Sequence, residues 1–284
     1  MTSETTGTTT SAAALSSSDA TASTRRRGRS DRLWTTVRWL SPVAILLLWQ
    51  LAGALRLIPQ DVLPAPSLVL DGGLETIRSG EFGDALAASG TRVVQGLVLG
   101  GITGVALGVL VGLSRLGDAV LDPSLQMVRA LPHLGLIPLF ILWFGIGETP
   151  KILMVALGVM FPLYLNTVSA IRQIDTKLLE TARVLGFGPW QRFRDIILPS
   201  TAPQVLVGLR QSLAIAWLTL IVAEQIASNS GIGFMINNAR DFLRIDIIVF
   251  GLVIYALLGF VTDALVRKLE QHALRYRPTS EEAR

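Results

Sequence analysis

Two polar side chains suited to anion binding lie in the apolar stretch 124–144. Arg129 and His133 are four residues apart, so they share one face of a continuous helix. A guanidinium is a bidentate partner for an oxyanion, and an imidazole supplies a further hydrogen-bond donor. The pair therefore predicts contact with a small anion. The alternative is that Arg129 extends to lipid phosphates while His133 bonds a neighbouring helix.

Two further polar residues lie within apolar stretches and complete the set of candidates for a translocation pathway. Glu224 ends the stretch 205–226, where Arg240 or Arg244 is the expected ionic partner, and the pair would act as a gate or as a brace. Asn166 follows Pro162 by four residues. Its amide either satisfies backbone groups freed by the proline or lines the pathway.

The residue pattern gives little support for a catalytic site or a nucleotide-binding site. A Walker loop needs Gly before its Lys, whereas Lys151, Lys177 and Lys268 follow Pro, Thr and Arg. His133 and His272 fall in different settings, and the chain has no Cys. We therefore predict no catalytic site, no cofactor and no metal, and a protein that is not an enzyme.

The composition indicates a membrane protein, since half of the residues are apolar and only 16% are charged. A helix of about 20 residues crosses the hydrocarbon core, and the sequence predicts six such spans in an all-α bundle. If both termini are cytoplasmic, most Lys and Arg residues outside the spans fall on cytoplasmic segments. Because positive charge favours that side, both termini are predicted to be cytoplasmic. The net charge of +4 is then explained by lipid headgroups and topology rather than by nucleic acid. The predicted spans are 40–58, 93–113, 124–144, 152–171, 205–226 and 247–266.

The organisation along the chain follows from these spans. The first residues are mostly Ser, Thr, Ala and Gly, a composition typical of disorder. In the outer segment, Ser67 is predicted to cap a short helix that runs through Ile77, before Gly80 breaks it. The predicted regions are a disordered tail 1–30, the first span and outer interfacial segment 31–85, a permease domain 86–270 and a cytoplasmic tail 271–284.

Glycine recurs at every fourth position of the second span, which places small residues along one stripe. Such a stripe predicts close approach of another helix. The alternative is that the glycines line the pathway itself. They are Gly96, Gly100, Gly104, Gly108 and Gly112.

The inner loop 172–204 is long for a connection within a helical bundle. Residues 176–185 predict an amphipathic helix, and Gly186 is placed to end it in the left-handed conformation. A second helical stretch should follow, with Pro199 closing it.

Seven residues of this loop resemble, at every spacing, the Glu-Ala-Ala motif of permeases of binding-protein-dependent ABC importers. Thr181 replaces the first alanine of that motif. The resemblance implies that Glu180, Ala182 and Gly186 belong to a coupling helix that docks in a groove of an ATPase subunit; the alternative is a helix that only lies on the membrane. The residues at the motif positions, with Thr181 as the one departure, are Glu180, Thr181, Ala182, Gly186, Ile196, Leu198 and Pro199.

Two other regions resemble the sulfonate, taurine and nitrate branch of these permeases, and aliphatic sulfonate permeases most of all. They are 127–145, and 217–224 continued by 230–233 and 238–242. The resemblance implies the type I importer fold in a prokaryotic cytoplasmic membrane. It also implies a homodimer, two ATPase subunits and an extracytoplasmic solute-binding protein as partners. The expected substrate is a small organic anion, an aliphatic sulfonate. Nitrate, taurine or a vitamin precursor are alternative substrates, and an ion-coupled secondary transporter is the alternative class.

Overall fold

The computed structural model describes residues 40–273, and all regular elements in that range are helices, as predicted. The predicted tail 1–30 and the end of the chain from 274 onward lie outside it. The chain divides into two compact units, one through Leu68 and one from Val69 onward.

The first unit contains α1 (Leu40–Ala54) and the start of α2 (Pro66–Arg78). The described part of α1 covers about 22 Å at 1.5 Å per residue, less than the hydrocarbon thickness of about 30 Å. The predicted cap role of Ser67 is wrong, because Pro66 begins α2 and puts Ser67 inside it. The Ser67 N–H instead donates to Gln50 Oε1 at 3.1 Å.

Four helices of the second unit are long and apolar enough to cross a membrane, namely α3, α6, α9 and α11. They contain the second, fourth, fifth and sixth predicted spans. A helix that the sequence interpretation missed, α10, lies between α9 and α11. The helices are α3 (Glu81–Leu113), α4 (Arg115–Ala130), α5 (Ile137–Phe144), α6 (Glu148–Arg172), α7 (Thr176–Val184), α8 (Pro189–Arg192), α9 (Leu198–Ala227), α10 (Ile232–Asp241) and α11 (Ile245–Ala273).

The third predicted span is not one helix. After α4 the chain passes through a 3-10 turn (His133–Leu136) into α5, and the two helical parts are bent by 83°. Leu131 is extended, with φ −69° and ψ 136°. Its conformation follows from Pro132, which disfavours the helical region for the preceding residue. The prediction that Arg129 and His133 share one continuous helix face is therefore wrong.

The glycine stripe of α3 lies against α6. A Cβ on Gly100 would be 2.2 Å from the Ala156 carbonyl oxygen, and one on Gly104 would be 2.5 Å from that of Met160. Gly96, Gly108 and Gly112 meet side chains of α6 at 2.4–2.8 Å in the same way. The glycines therefore face a neighbouring helix at backbone distance.

On its other side α6 packs on α9. Ser212 Oγ donates to the Val159 carbonyl oxygen at 2.8 Å, and Gly208 leaves room for the Asn166 side chain. The core around this contact is apolar and almost fully buried, so α6 is the central helix between α3 and α9. The buried cluster is Val93, Val155, Val159, Leu163, Leu213, Ala216, Trp217, Leu220 and Val266.

Gly100→Ala should destabilise the subunit, whereas Gly101→Ala should not. The added methyl at 100 collides with α6 backbone, while at 101 its nearest neighbour is Leu163 Cδ1 at 3.6 Å. Overpacking of this kind costs about 1–3 kcal/mol. Thermal unfolding in detergent measures the effect. Both variants replace Gly by Ala within a helix, so the gain in helix propensity is the same and cancels in the comparison. Equal melting temperatures for both variants would contradict the packing role of the stripe.

Candidate functional site

A cavity of about 250 Å³ lies beside α4, the 3-10 turn, α6 and α9. It brings together three of the residues singled out in the sequence, Arg129, His133 and Asn166. The break at Pro132 does not separate Arg129 from His133, because both sides of the bend turn toward the same space. The fourth candidate, Glu224, does not line this cavity.

The cavity combines one cation with apolar walls. Arg129 makes no ion pair or hydrogen bond with any residue in 40–273. His133 Nε2 lies 3.4 Å from Thr219 Oγ1. No carboxylate occurs among the described residues that line the cavity, so the space suits an anion that also has an apolar part. The apolar lining is Val128, Leu131, Leu136, Leu157, Phe161, Pro162, Leu165 and Ile215.

Asn166 joins α6 to α9 through its side-chain amide. Its Nδ2 donates to the Pro162 carbonyl oxygen at 2.8 Å and to Gln211 Oε1 at 3.0 Å. Its Oδ1 accepts from Gln204 Nε2 at 2.8 Å. The carbonyl freed by the missing N–H of Pro162 belongs to Gly158, one turn earlier, so Asn166 does not serve that group. The sequence interpretation missed Gln211, although it lies seven residues after Gln204 on the same helix face.

Glu224 is buried, and four donors surround its carboxylate. Arg92 Nη1 approaches Oε1 at 2.5 Å and Ser89 Oγ donates at 2.8 Å. Tyr255 Oη donates to Oε2 at 3.2 Å, and the Gly233 N–H at the start of α10 donates at 2.8 Å. An anion at this position also favours the helix N-terminus. Glu224 thus connects α3, α9, α10 and α11.

The predicted partners of this carboxylate were wrong. Arg240 lies beside Asp241, and Arg244 binds Glu75 and Asp246. The hydrogen bond from Arg244 lowers the pKa of Glu75. Arg240 at the end of α10 and Arg244 just after it pair with nearby carboxylates instead, and Glu224 pairs with Arg92 of α3.

A second carboxylate completes a cluster of four charges, Arg92, Glu148, Lys151 and Glu224. Arg92 binds Glu148 through Nε at 2.5 Å and Nη2 at 2.9 Å, and Lys151 Nζ donates to Glu148 at 2.8 Å. Arg92 also donates to Ser230 in the segment that precedes α10. Two cations balance two carboxylates, so the cluster carries no net charge, although Glu148 is 57% exposed and only the other three groups are buried. This geometry supports the brace interpretation of Glu224.

At the other end of α6, the inner loop adopts the predicted helix and cap. Asp175 caps α7 by accepting from the Lys177 N–H at 2.9 Å. Gly186 has φ 78°, so the predicted left-handed conformation is confirmed. The Phe187 N–H donates back to the Ala182 carbonyl oxygen at 2.9 Å, which completes a Schellman motif.

The loop exposes apolar side chains next to this cap. Val184 is 88% exposed, Trp190 71% and Leu185 67%, whereas Ala182 of the motif is buried. Glu180 and Thr181 are exposed as well. An exposed apolar group of this kind marks a surface for contact with another protein or a membrane.

The second half of the motif does not end a helix, so the predicted role of Pro199 is wrong. The chain is helical from Pro189 to Ile226, with a wide π turn (Phe193–Ile197) just before Leu198. Pro199 falls in the first turn of α9, where a missing N–H is tolerated. Ile196 lies in the π turn and is partly buried.

Arg92→Met should destabilise the protein by about 3–5 kcal/mol, because it leaves Glu224 buried without its cation. The double variant Arg92→Met with Glu224→Met should recover part of that loss. Thermal unfolding in detergent measures both. Arg210→Met is the control, because its partners Asp263 and Glu270 are partly exposed and such pairs contribute at most about 1 kcal/mol. A loss no larger than that of the control would contradict the brace.

Comparison with known proteins identifies relatives over almost the whole chain. The family described as binding-protein-dependent transport system inner membrane component matches residues 100–275. An aliphatic sulfonates transport permease protein, SsuC, of Bacillus subtilis (strain 168) is 43% identical over 93% of this chain and 95% of its own length. SsuC of Escherichia coli (strain K12) is 46% identical over 84% and 91%. The taurine transport system permease protein TauC of the same strain is 34% identical over 82% and 86%.

A solved structure shares the fold. A chain of the inward-facing MetNI methionine ABC transporter superimposes with a TM-score of 0.50 at 21% identity, covering 66% of this chain and 94% of that one. The resemblance found in the inner loop is confirmed by these matches. This chain belongs to the inner membrane component family of binding-protein-dependent ABC transport systems, and it is a multi-pass membrane transport subunit rather than an enzyme.

Proposed function

We propose that this chain is the permease of an ATP-driven importer for a small organic anion, and that the anion is an aliphatic sulfonate. The observation that carries this proposal is the 43–46% identity to two aliphatic sulfonate permeases over nearly their full length. The cavity beside Arg129 supports it independently, because its cation has no ionic or hydrogen-bond partner within residues 40–273.

The lining of the cavity favours an alkanesulfonate over the other substrates of the branch. A sulfonate is ionised at neutral pH, so its desolvation requires donors such as the Arg129 guanidinium. Taurine also carries an ammonium group, for which the described lining offers no carboxylate. Nitrate has no apolar part to use the walls formed by Leu136, Phe161 and Ile215.

The proposed partners are inferred from the missing ATP-binding motif and from the exposed surface of α7. No Walker loop occurs in the sequence, so ATP must be hydrolysed by other subunits. We assign the exposed surface of α7, which includes Glu180 and Thr181, to the groove of an ATPase, with the buried Ala182 packing the helix against the rest of the chain. The assembly is a homodimer of this chain with two ATPase subunits, and a solute-binding protein delivers the substrate from outside.

The proposed topology has six spans and cytoplasmic termini. Helices α3, α6, α9 and α11 supply four spans, the bent pair around Pro132 supplies one, and α1 belongs to the remaining one. The excess of Lys and Arg on the segments assigned to the cytoplasm supports this orientation.

The connectivity suggests how motion of the ATPases reaches the cavity. Helix α7 directly follows α6, and the π turn after α8 leads without interruption into α9. Both α6 and α9 line the cavity through Asn166 and Gln211. Movement of α7 with a closing ATPase dimer would therefore move the two helices that hold the substrate.

The complete importer in proteoliposomes should take up butanesulfonate only when ATP and binding protein are both present. Arg129→Ala should lower the maximal uptake rate about tenfold, and Arg129→Lys should recover part of it, because charge is restored without the fork geometry. The affinity of the isolated binding protein is the control and should not change. Uptake driven by a proton or sodium gradient without ATP would contradict the proposed class, and ATP-driven uptake of nitrate or riboflavin but not of butanesulfonate would contradict the substrate.

Gly186→Ala should uncouple ATP hydrolysis from uptake, whereas Gly188→Ala should leave both intact. Neither position has a heavy atom within 4 Å of an added Cβ, so the variants differ in backbone conformation alone. Gly186 has φ 78° and Gly188 has φ −65°, and the left-handed conformation costs a non-glycine residue about 1–2 kcal/mol. The ratio of ATP hydrolysed to sulfonate imported measures coupling. Equal ratios in the two variants would refute the role of the cap.

A further inference from the structure

The side-chain amide of Gln211 is held in one orientation by a chain of hydrogen bonds. The chain begins at the Pro162 carbonyl oxygen, which can only accept. Asn166 must therefore turn its Nδ2 toward Pro162, and the same group then donates to Gln211 Oε1. With Asn166 turned this way, its Oδ1 accepts from Gln204 Nε2. Since Oε1 of Gln211 is engaged by a donor, its Nε2 is directed away from Asn166.

Close packing keeps this chain in place. Gln204, Gly208 and Gln211 lie at i, i+4 and i+7 on α9 and so face the same side. The missing side chain of Gly208 lets Asn166 lie against α9, since a Cβ there would be 2.9 Å from Asn166 Cβ. Gln211 itself is exposed, and the α6–α9 contact orients its amide through the hydrogen bond from Asn166.

Gln211 lines the same cavity as Arg129. Its Nε2 donates to no residue in 40–273, so its two N–H groups are free for a ligand. The cavity then offers a guanidinium and an oriented carboxamide, with no carboxylate among its described lining. Oriented N–H groups beside a cation match the three oxygens of a sulfonate.

We infer that Gln211 is a second ligand for the anionic headgroup of the substrate, with Asn166 as the residue that positions it. This inference rests on the proposed function, since it assigns a residue to the same substrate. Arg129 provides the positive charge, Gln211 provides oriented N–H donors, and the apolar wall contacts the alkyl chain. The sulfonate is held by two protein groups during passage, and its affinity in the permease stays low enough for release.

The test exchanges the amide for a carboxylate of the same shape. Gln211→Glu keeps the acceptor that Asn166 requires but removes the N–H donors and adds a negative charge beside the anion. Maximal butanesulfonate uptake by the reconstituted importer should fall at least tenfold, while binding-protein-stimulated ATP hydrolysis and the melting temperature stay near those of the unaltered protein. Gln225→Glu, on the same helix but outside the cavity, is the matched control and should retain uptake.

Gln211→Leu provides a second, uncharged variant in case the glutamate prevents assembly. It should also lower the uptake rate about tenfold, because one headgroup ligand is lost, and Gln211→Asn should recover part of the rate. Uptake by Gln211→Glu or Gln211→Leu at the rate of the unaltered importer would overturn this inference alone, as would an equal loss in Gln225→Glu. Failure of the unaltered importer to transport butanesulfonate would overturn the proposed substrate and this assignment with it.

Discussion

The rest of the structure depends on the close approach of α3 to α6. In a membrane, helices gain little from the hydrophobic effect on association, so backbone proximity and internal hydrogen bonds must hold them together. Five glycines of α3 meet this need, and at Gly100 and Gly104 the neighbouring atoms are carbonyl oxygens of α6. With α3 this close, α6 occupies the centre of the second unit. Its opposite face is then available to α9, where Gly208 and Ser212 repeat the same close contact.

Because α6 is central, its polar side chains find partners on neighbouring helices. The same side chains would be costly to place, unpaired, on a surface that faces lipid. At one end it contributes Glu148 and Lys151 to the four-charge cluster, which fixes the start of α10 through Arg92 and Glu224. In its middle it contributes Asn166 to the cavity wall. At its other end it continues into α7. The charge cluster, the cavity wall and the helix that we propose to dock an ATPase therefore follow one another along α6 and α7, as the proposed function requires.

The sequence predicted the parts of this arrangement that depend on local pattern. The apolar runs located α3, α6, α9 and α11, and the loop motif located α7 with its left-handed Gly186. The break at Pro132 was predictable in principle, since a proline restricts the residue before it, but the apolar run on either side concealed it. The partner of Glu224 was not predictable, because Arg92 is 132 positions away and nearer arginines were available. Gln211 was missed for a similar reason, since its orientation depends on Asn166 of another helix.

The proposed site for the substrate anion on its way through the membrane is the cavity between α6 and α9. A structure of the complete importer with a brominated alkanesulfonate tests it most directly, because the anomalous signal of bromine locates the tail independently of the headgroup. Sulfonate oxygens are expected within hydrogen-bond distance of Arg129 and Gln211, with the bromine against the apolar wall near Phe161. A bromine signal confined to another site, or a lipid tail filling this cavity while the sulfonate is transported, would contradict it.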